Sequence, residues 1–178
     1  MLGYLLRSAG HTASMTSFQQ RKAIGDAHER YVAEQLAERG WEVNFWGQGQ
    51  LSRALQSALR KTDSSIRWFP DLIAAKAKDL VLIDCKGGMT SRRTGRHAVE
   101  RSAVLAHLQL VAWTQLPVYY VFDGLGTWSP YDVLVAGQKG PHSIAGSGAP
   151  YFLISTQGAR RFDDLFGNPD VAQLDIAS

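Results

Sequence analysis

The chain has a single cysteine in 178 residues, Cys85, so no disulfide can form within it. No Cys/His cluster has the spacing of a zinc site either. Both absences fit a reducing setting, and the cytoplasm is the expected location. No run approaches the roughly 18 consecutive apolar residues that span a bilayer, so no membrane partner is expected. The opening run Met1–Leu6 is shorter than a signal-peptide core and has no basic segment before it. Residues 1–16 read as a flexible leader, with Met15 a second candidate start, and residues 169–178 as a C-terminal tail. Internal repeats and low-complexity tracts are missing too. What is present is globular composition, 45% hydrophobic and 20% charged, with length for one domain over residues 17–168.

A net charge of +3 hides an uneven distribution. Residues 53–101 carry eleven Lys/Arg against five Asp/Glu, whereas residues 1–52 balance and residues 102–178 are acidic. A basic field concentrated in one segment suits a polyphosphate ligand, although a solvated cationic surface has the same composition.

Hydrophobic spacing predicts an amphipathic helix over 18–39, with Ile24, Ala27, Tyr31, Val32 and Leu36 on one side and Gly40 as its stop. Trp41–Trp46 alternates as a strand. A short helix is expected over Leu51–Leu59, then a loop at 62–65. The apolar runs Asp71–Ala75 and Leu80–Lys86 flank a polar turn and read as a β-hairpin ended by Gly87-Gly88. A long helix is expected over Ala98–Gln115, a buried strand over Pro117–Phe122, and strands over Asp132–Ala136 and Tyr151–Thr156. These last two are separated by a loop over 137–150, and a short helix is expected over Gly158–Phe166. The order helix, strand, strand, strand, helix, strand defines a mixed α/β core.

Chemistry concentrates in Pro70-Asp71 and Asp84-Cys85-Lys86. If the hairpin turn centres between Ala77 and Lys78, Asp71 falls opposite Asp84, where facing Cβ atoms lie about 4.5–5.5 Å apart. Lys86 is two residues further along and shares Asp84's face. Two carboxylates at a largely buried strand end repel each other, and a hard divalent cation such as Mg²⁺ resolves that conflict. Read singly, Asp84 and Lys86 would be an ordinary ion pair and Asp71 a turn-capping residue.

The pattern Pro70-Asp71, twelve intervening residues, then Asp84-Cys85-Lys86 resembles the PD-(D/E)XK motif of the restriction-endonuclease-like nuclease superfamily. The upstream Gly25-Asp-Ala-His-Glu29 is similar to the glycine-then-glutamate helix of archaeal-type Holliday-junction resolvases and their relatives. The resemblance spans residues 20–123 and implies a restriction-endonuclease-like core with a central mixed β-sheet flanked by helices. It implies catalytic roles for Glu29, Asp71, Asp84 and Lys86. Asp71, Asp84 and the backbone carbonyl of Cys85 would ligate Mg²⁺, with Mn²⁺ able to substitute, and Glu29 would join directly or through water. Lys86 would orient the attacking water and stabilise charge on the scissile phosphate. Two departures stand out: aspartate at 84, where glutamate is commoner, and a long segment between Trp46 and Trp68.

The stretch Thr90–His97 supplies Arg92, Arg93, Arg96 and His97 as candidate DNA contacts, with Lys61 and Arg67 extending the same face. Gln109, on the inner part of the following helix, is a candidate supporting residue for the site. Trp41, Trp46, Trp68 and Trp113 read mainly as core, Trp68 alone being a candidate for base stacking. His28 and His107 attract no functional role, and the Cys85 side chain reads as a small core residue.

Three functions compete. A branched-DNA endonuclease of the Holliday-junction resolvase type would act as a homodimer, with the strand Pro117–Phe122 and the aromatic stretch after it contributing the interface. A restriction-like or mobile-element nuclease would act on duplex DNA, with residues 47–67 contributing recognition. A nucleic-acid-binding module without catalysis is disfavoured because all four motif residues are present.

Overall fold

The computed structural model describes residues 9–140 and 149–169, with side chains from residue 19 onward. The expected tail from residue 170, the first half of the expected leader and the middle of the 137–150 loop lie outside the described residues. The elements run α1 (Ala9–Ala37), β1 (Glu42–Phe45), α2 (Arg53–Leu59), β2 (Leu72–Lys76), β3 (Asp79–Lys86), β4 (Thr90–Ser91), β5 (Arg96–Glu100) and α3 (Arg101–Thr114). They continue with β6 (Val118–Phe122), β7 (Thr127–Trp128), α4 (Pro130–Ala136), β8 (Gln138–Lys139), β9 (Tyr151–Ser155) and α5 (Phe162–Phe166). The expected helix–strand–strand–strand–helix–strand core is α1-β1-β2-β3-α3-β6, so the fold is a mixed α/β sheet flanked by helices.

The central sheet has the order β1-β2-β3-β6-β7. β1, β2 and β3 form an antiparallel meander, and β6 pairs parallel to β3 after the crossover through α3. A second sheet of order β4-β5-β9-β8 lies on the α3 side. The β2–β3 register pairs Leu72 with Ile83 and Lys76 with Asp79, as a turn at Ala77-Lys78 requires. Ala77 takes a left-handed φ of 52° to close it.

Each face of the central sheet has its own core. On one face α1 and α5 cover β2 and β3, with Val32, Leu36, Leu72, Ala74, Ile83 and Phe166 packed together. On the other, Val99, Val104, Tyr120, Phe122, Val133 and Ile154 join β6 to α3, α4 and the second sheet. Alternation along β3 explains the division: Val81, Ile83 and Cys85 belong to the α1 face, while Asp84 contacts His107 of α3. Buried Arg39, at the end of α1, donates to Asp163 at 2.6 Å and to the Gly167 carbonyl at 2.9 Å, tying α5 down.

Three expected elements changed. Residues 9–17, read as leader and approach, belong to α1. Residues Ala98–Glu100 are strand rather than helix, because β5 finds a partner in β9 across a long sequence separation. Residues 132–136 are helix rather than strand: Ser129 caps α4, Pro130 fills the first turn, and Asp132 completes a reciprocal capping box. The expected dimer strand is internal, with β6 lying between β3 and β7 and nearly all of its side chains buried.

Gly87 ends β3 against α1, where a Cβ would come within 2.6 Å of the His28 Cβ. That contact lets the His28 ring N–H donate to the Val121 carbonyl at 3.0 Å, locking α1 to β6. Gly87→Ala is therefore expected to destabilise the fold by about 1–3 kcal/mol through overpacking. Urea unfolding monitored by circular dichroism checks this, and an unchanged midpoint would contradict it.

Candidate active site

Asp71 follows a 3₁₀ turn over Ser65–Trp68 and immediately precedes β2. Its carbonyl accepts from the N–H groups of Trp46, at 2.7 Å, and Gly47, at 3.0 Å, which fixes the backbone. A Cβ on Gly47 would lie 2.9 Å from the Asp71 carboxylate, so glycine leaves that side of the carboxylate open. On its other side, Asp71 Oδ2 accepts the Cys85 N–H at 2.8 Å. One step beyond the paired register, Asp71 thus reaches the end of β3 beside Asp84.

Asp84 is buried, and its Oδ2 accepts from Lys86 Nζ at 2.8 Å. Lys86 also stands over the Tyr120 ring at 5.5 Å. Burial alone would lower the lysine pKa, but the Asp84 and Asp71 carboxylates outweigh it and raise it, favouring the ammonium. Asp71 is pushed well above the usual carboxylate range, first by burial and then by the charges of Asp84 and Glu29. Glu29 is raised by burial, with Asp26 and Asp84 adding to it. The three carboxylates therefore share one electrostatic field.

They do not share one face. Asp84 belongs to the α3 side of the sheet, whereas Glu29 comes from α1 on the opposite side. Among the described residues, no three His, Cys, Asp or Glu side chains are grouped closely enough to hold a metal ion. A cation here would have two aspartates and the Cys85 carbonyl to draw on, with Glu29 acting through water. An all-oxygen donor set with few protein ligands fits Mg²⁺, which retains several waters. The mutual repulsion that raises Asp71 is what such a cation would relieve.

His107, given no role from sequence, is the principal addition. It is fully buried on α3, and its Nε2 contacts the Trp68 carbonyl at 2.6 Å. A carbonyl only accepts, so Nε2 carries the proton and Nδ1 accepts from the Tyr120 hydroxyl at 3.0 Å. Nδ1 lies 3.5 Å from Asp84 Oδ2. Burial lowers the His107 pKa and favours this neutral form. The sequence signal was a histidine on the same helix face as Ala103 and Val104. Gln109, expected to support the site, is exposed instead; a two-residue step along α3 turns it away from the sheet.

The basic residues divide. Arg92 and Arg93 are exposed in the β4–β5 turn, and Arg96 is exposed while donating to Gln138 at 3.0 Å. Lys61 is exposed, and Arg67 is half-buried with its guanidinium 5.4 Å above the Trp68 ring. His97 does not belong with them. It is buried in β5, stacked on Phe122 at 3.9 Å, and its Nδ1 pairs with the Thr90 hydroxyl. Trp41 is core, whereas Trp46 and Trp113 are exposed, contrary to expectation.

No protein-family model matches the sequence, and no curated protein is similar to it in sequence at a significant level. Solved structures align with the chain. Hjc, a Holliday junction resolvase from the archaeal hyperthermophile Archaeoglobus fulgidus, aligns over 81% of this chain and 96% of its own with a TM-score of 0.53 and 10% identity. D212, a nuclease from a fusselovirus, aligns over 92% and 94% with a TM-score of 0.42 and 15% identity. With the sheet order above, the likeness to Hjc identifies the fold as restriction-endonuclease-like.

Burial lowers the His97 pKa below 6.5, and Asp123 offsets only part of that. The folded state thus binds fewer protons there than the unfolded chain, so stability is present above pH 6.5 and drains away as the pH falls. His97→Phe keeps the stack on Phe122 and removes a ring nitrogen, Nε2, that has no hydrogen-bond partner. Melting temperatures measured from pH 7 to 5 are expected to fall less steeply in this variant than in the wild type.

Proposed function

We propose that the chain is a divalent-metal-dependent endonuclease that hydrolyses DNA phosphodiester bonds, with Asp71, Asp84 and Lys86 at its centre and Glu29 assisting. One observation carries the reading: two aspartates brought together across the open end of the β2–β3 hairpin, with a lysine ammonium paired to one of them. Hydrolysis of a phosphodiester needs an activated water and neutralisation of charge on the phosphate, and Mg²⁺ or Mn²⁺ supplies both when bound. Asp71 and Asp84, with the Cys85 carbonyl, are the groups that would hold it. Lys86, already held in place by Asp84 at 2.8 Å, presents positive charge to a phosphate oxygen. An ammonium cannot accept a proton, so its contribution is electrostatic and positional. His107, fixed between the Trp68 carbonyl and the Tyr120 hydroxyl, lines the Asp84 side of the site.

The preferred substrate is branched DNA, and the fold similarity to Hjc supports that preference. A homodimer would match the symmetry of a junction. With β6 internal, the exposed α4 residues Tyr131, Leu134 and Val135 take over as the candidate interface. The second reading is a restriction-like or mobile-element nuclease on duplex DNA. It draws support from residues 47–67, which fold as α2 and the 3₁₀ turn that leads into Asp71.

Labelled four-way junction, linear duplex and single strands, incubated with Mg²⁺ or with EDTA, test the reading directly. Asp84→Asn and Lys86→Ala are each expected to reduce cleavage by roughly 100-fold or more, and EDTA to abolish it. Equal cleavage by wild type and variants would refute the site. Replacing Arg92, Arg93 and Arg96 by alanine is expected to weaken DNA binding and flatten its salt dependence. An unchanged slope in a salt titration would remove these arginines from the interface.

A further inference from the structure

A cavity of about 350 Å³ opens between the 3₁₀ turn at Ser65–Trp68 and α3, walled by Ile66, Trp68, Phe69, Ala106, Leu110 and Trp113. Its rim exposes 47% of Ile66 and 74% of Trp113. Apolar groups left in water around a concave surface mark a place where something binds.

Charge narrows the occupant. One wall is Ser64–Ile66 with Trp68 and Phe69, and the segment that leads into it, residues 53–67, carries Arg53, Arg60, Lys61 and Arg67 against the single acid Asp63. The other wall, α3, has Arg101 as its only formally charged residue. An apolar slot with aromatic walls and a cationic approach matches a planar ring joined to a phosphate. Position narrows it further. His107 bonds the Trp68 carbonyl at 2.6 Å and stands 3.5 Å from Asp84, so one imidazole ring separates the slot from the carboxylates. Trp68 is also only three residues before Asp71. A base stacked and paired within a duplex cannot offer its face to such a slot, whereas an unpaired base can.

We propose that this cavity receives the base of an unpaired nucleotide next to the scissile phosphate, so that the chain selects DNA with a single-stranded or unpaired segment at the cut. The inference rests on the nuclease reading and specifies its substrate class. Arg67, whose guanidinium lies over the Trp68 ring, and Lys61 hold the strand's phosphates while the aromatic wall takes the base.

Binding without cleavage tests it. In EDTA, fluorescence anisotropy would compare the full-length protein with Trp113→Ala and Ile66→Ser on labelled oligothymidine, on the same backbone with abasic sites, and on blunt duplex. Each variant is expected to lose about tenfold in affinity for oligothymidine, the scale of one base–aromatic stack, with duplex affinity unchanged. The abasic strand is expected to bind the wild type as weakly as oligothymidine binds the variants. Equal losses on every ligand, or abasic and thymidine strands bound alike, would overturn the proposal. So would sedimentation showing that Trp113→Ala only dissociates a dimer, which would assign this face to a second copy of the chain. Absence of any Mg²⁺-dependent cleavage by the wild type while base discrimination persists would refute the nuclease reading alone; loss of discrimination with metal-dependent cleavage intact would refute the cavity alone. Failure to bind any DNA would refute both.

Discussion

Two aspartates forced together at the end of a buried hairpin create the tension around which this molecule is arranged. Neither carboxylate can move away. Asp71 is pinned through its carbonyl by two backbone N–H groups and through its side chain by the Cys85 N–H, while Asp84 is buried and held by Lys86. The surrounding fold supplies partial compensation, one ammonium and several oriented dipoles, and leaves a site that attracts further positive charge. Gly47 keeps the flank of Asp71 clear, and Gly87 lets α1 approach closely enough to add the charge of Glu29.

Much of that tension was legible in the chain. Hairpin register follows from where the turn falls, and with Ala77-Lys78 at its centre the pairing of Leu72 with Ile83 carries Asp71 to Asp84 without further information. The strand after the hairpin was legible because it buries a continuous apolar set, whereas of the apolar side expected for the first helix only Val32 and Leu36 are buried, with Ile24, Ala27 and Tyr31 exposed. Ala98–Glu100 was not, because its strand character comes from pairing with Tyr151–Leu153, more than fifty residues away, and local helical spacing gives no hint of it. α4 was misread although its capping residues, Ser129, Pro130 and Asp132, were in plain view. A short apolar run does not distinguish strand from helix, and here the cap decides.

The site's surroundings were less legible than its centre. His107 and Gln109 stand two residues apart on one helix, and two residues turn a helical side chain by about 200°. The expected supporting role therefore fell on the exposed residue and missed the buried one. His97 shows the reverse error: within a basic stretch it was grouped with its arginine neighbours, but strand alternation turns it inward onto Phe122. Trp113 was read as core because tryptophan usually is, and α3 carries it one turn past the end of the covered face.

The placement of Glu29 across the sheet from Asp84 has a consequence for assembly. The two hydrophobic cores are built from different layers, and the sheet is the wall between them. Asp84, Lys86 and His107 require only the α3 layer to be in place, whereas Glu29 arrives with α1, through the His28–Val121 latch. The full constellation exists only when both layers have docked, which makes the site a coincidence detector for the finished fold. A partly folded chain, still missing its first helix, carries an incomplete set of charges.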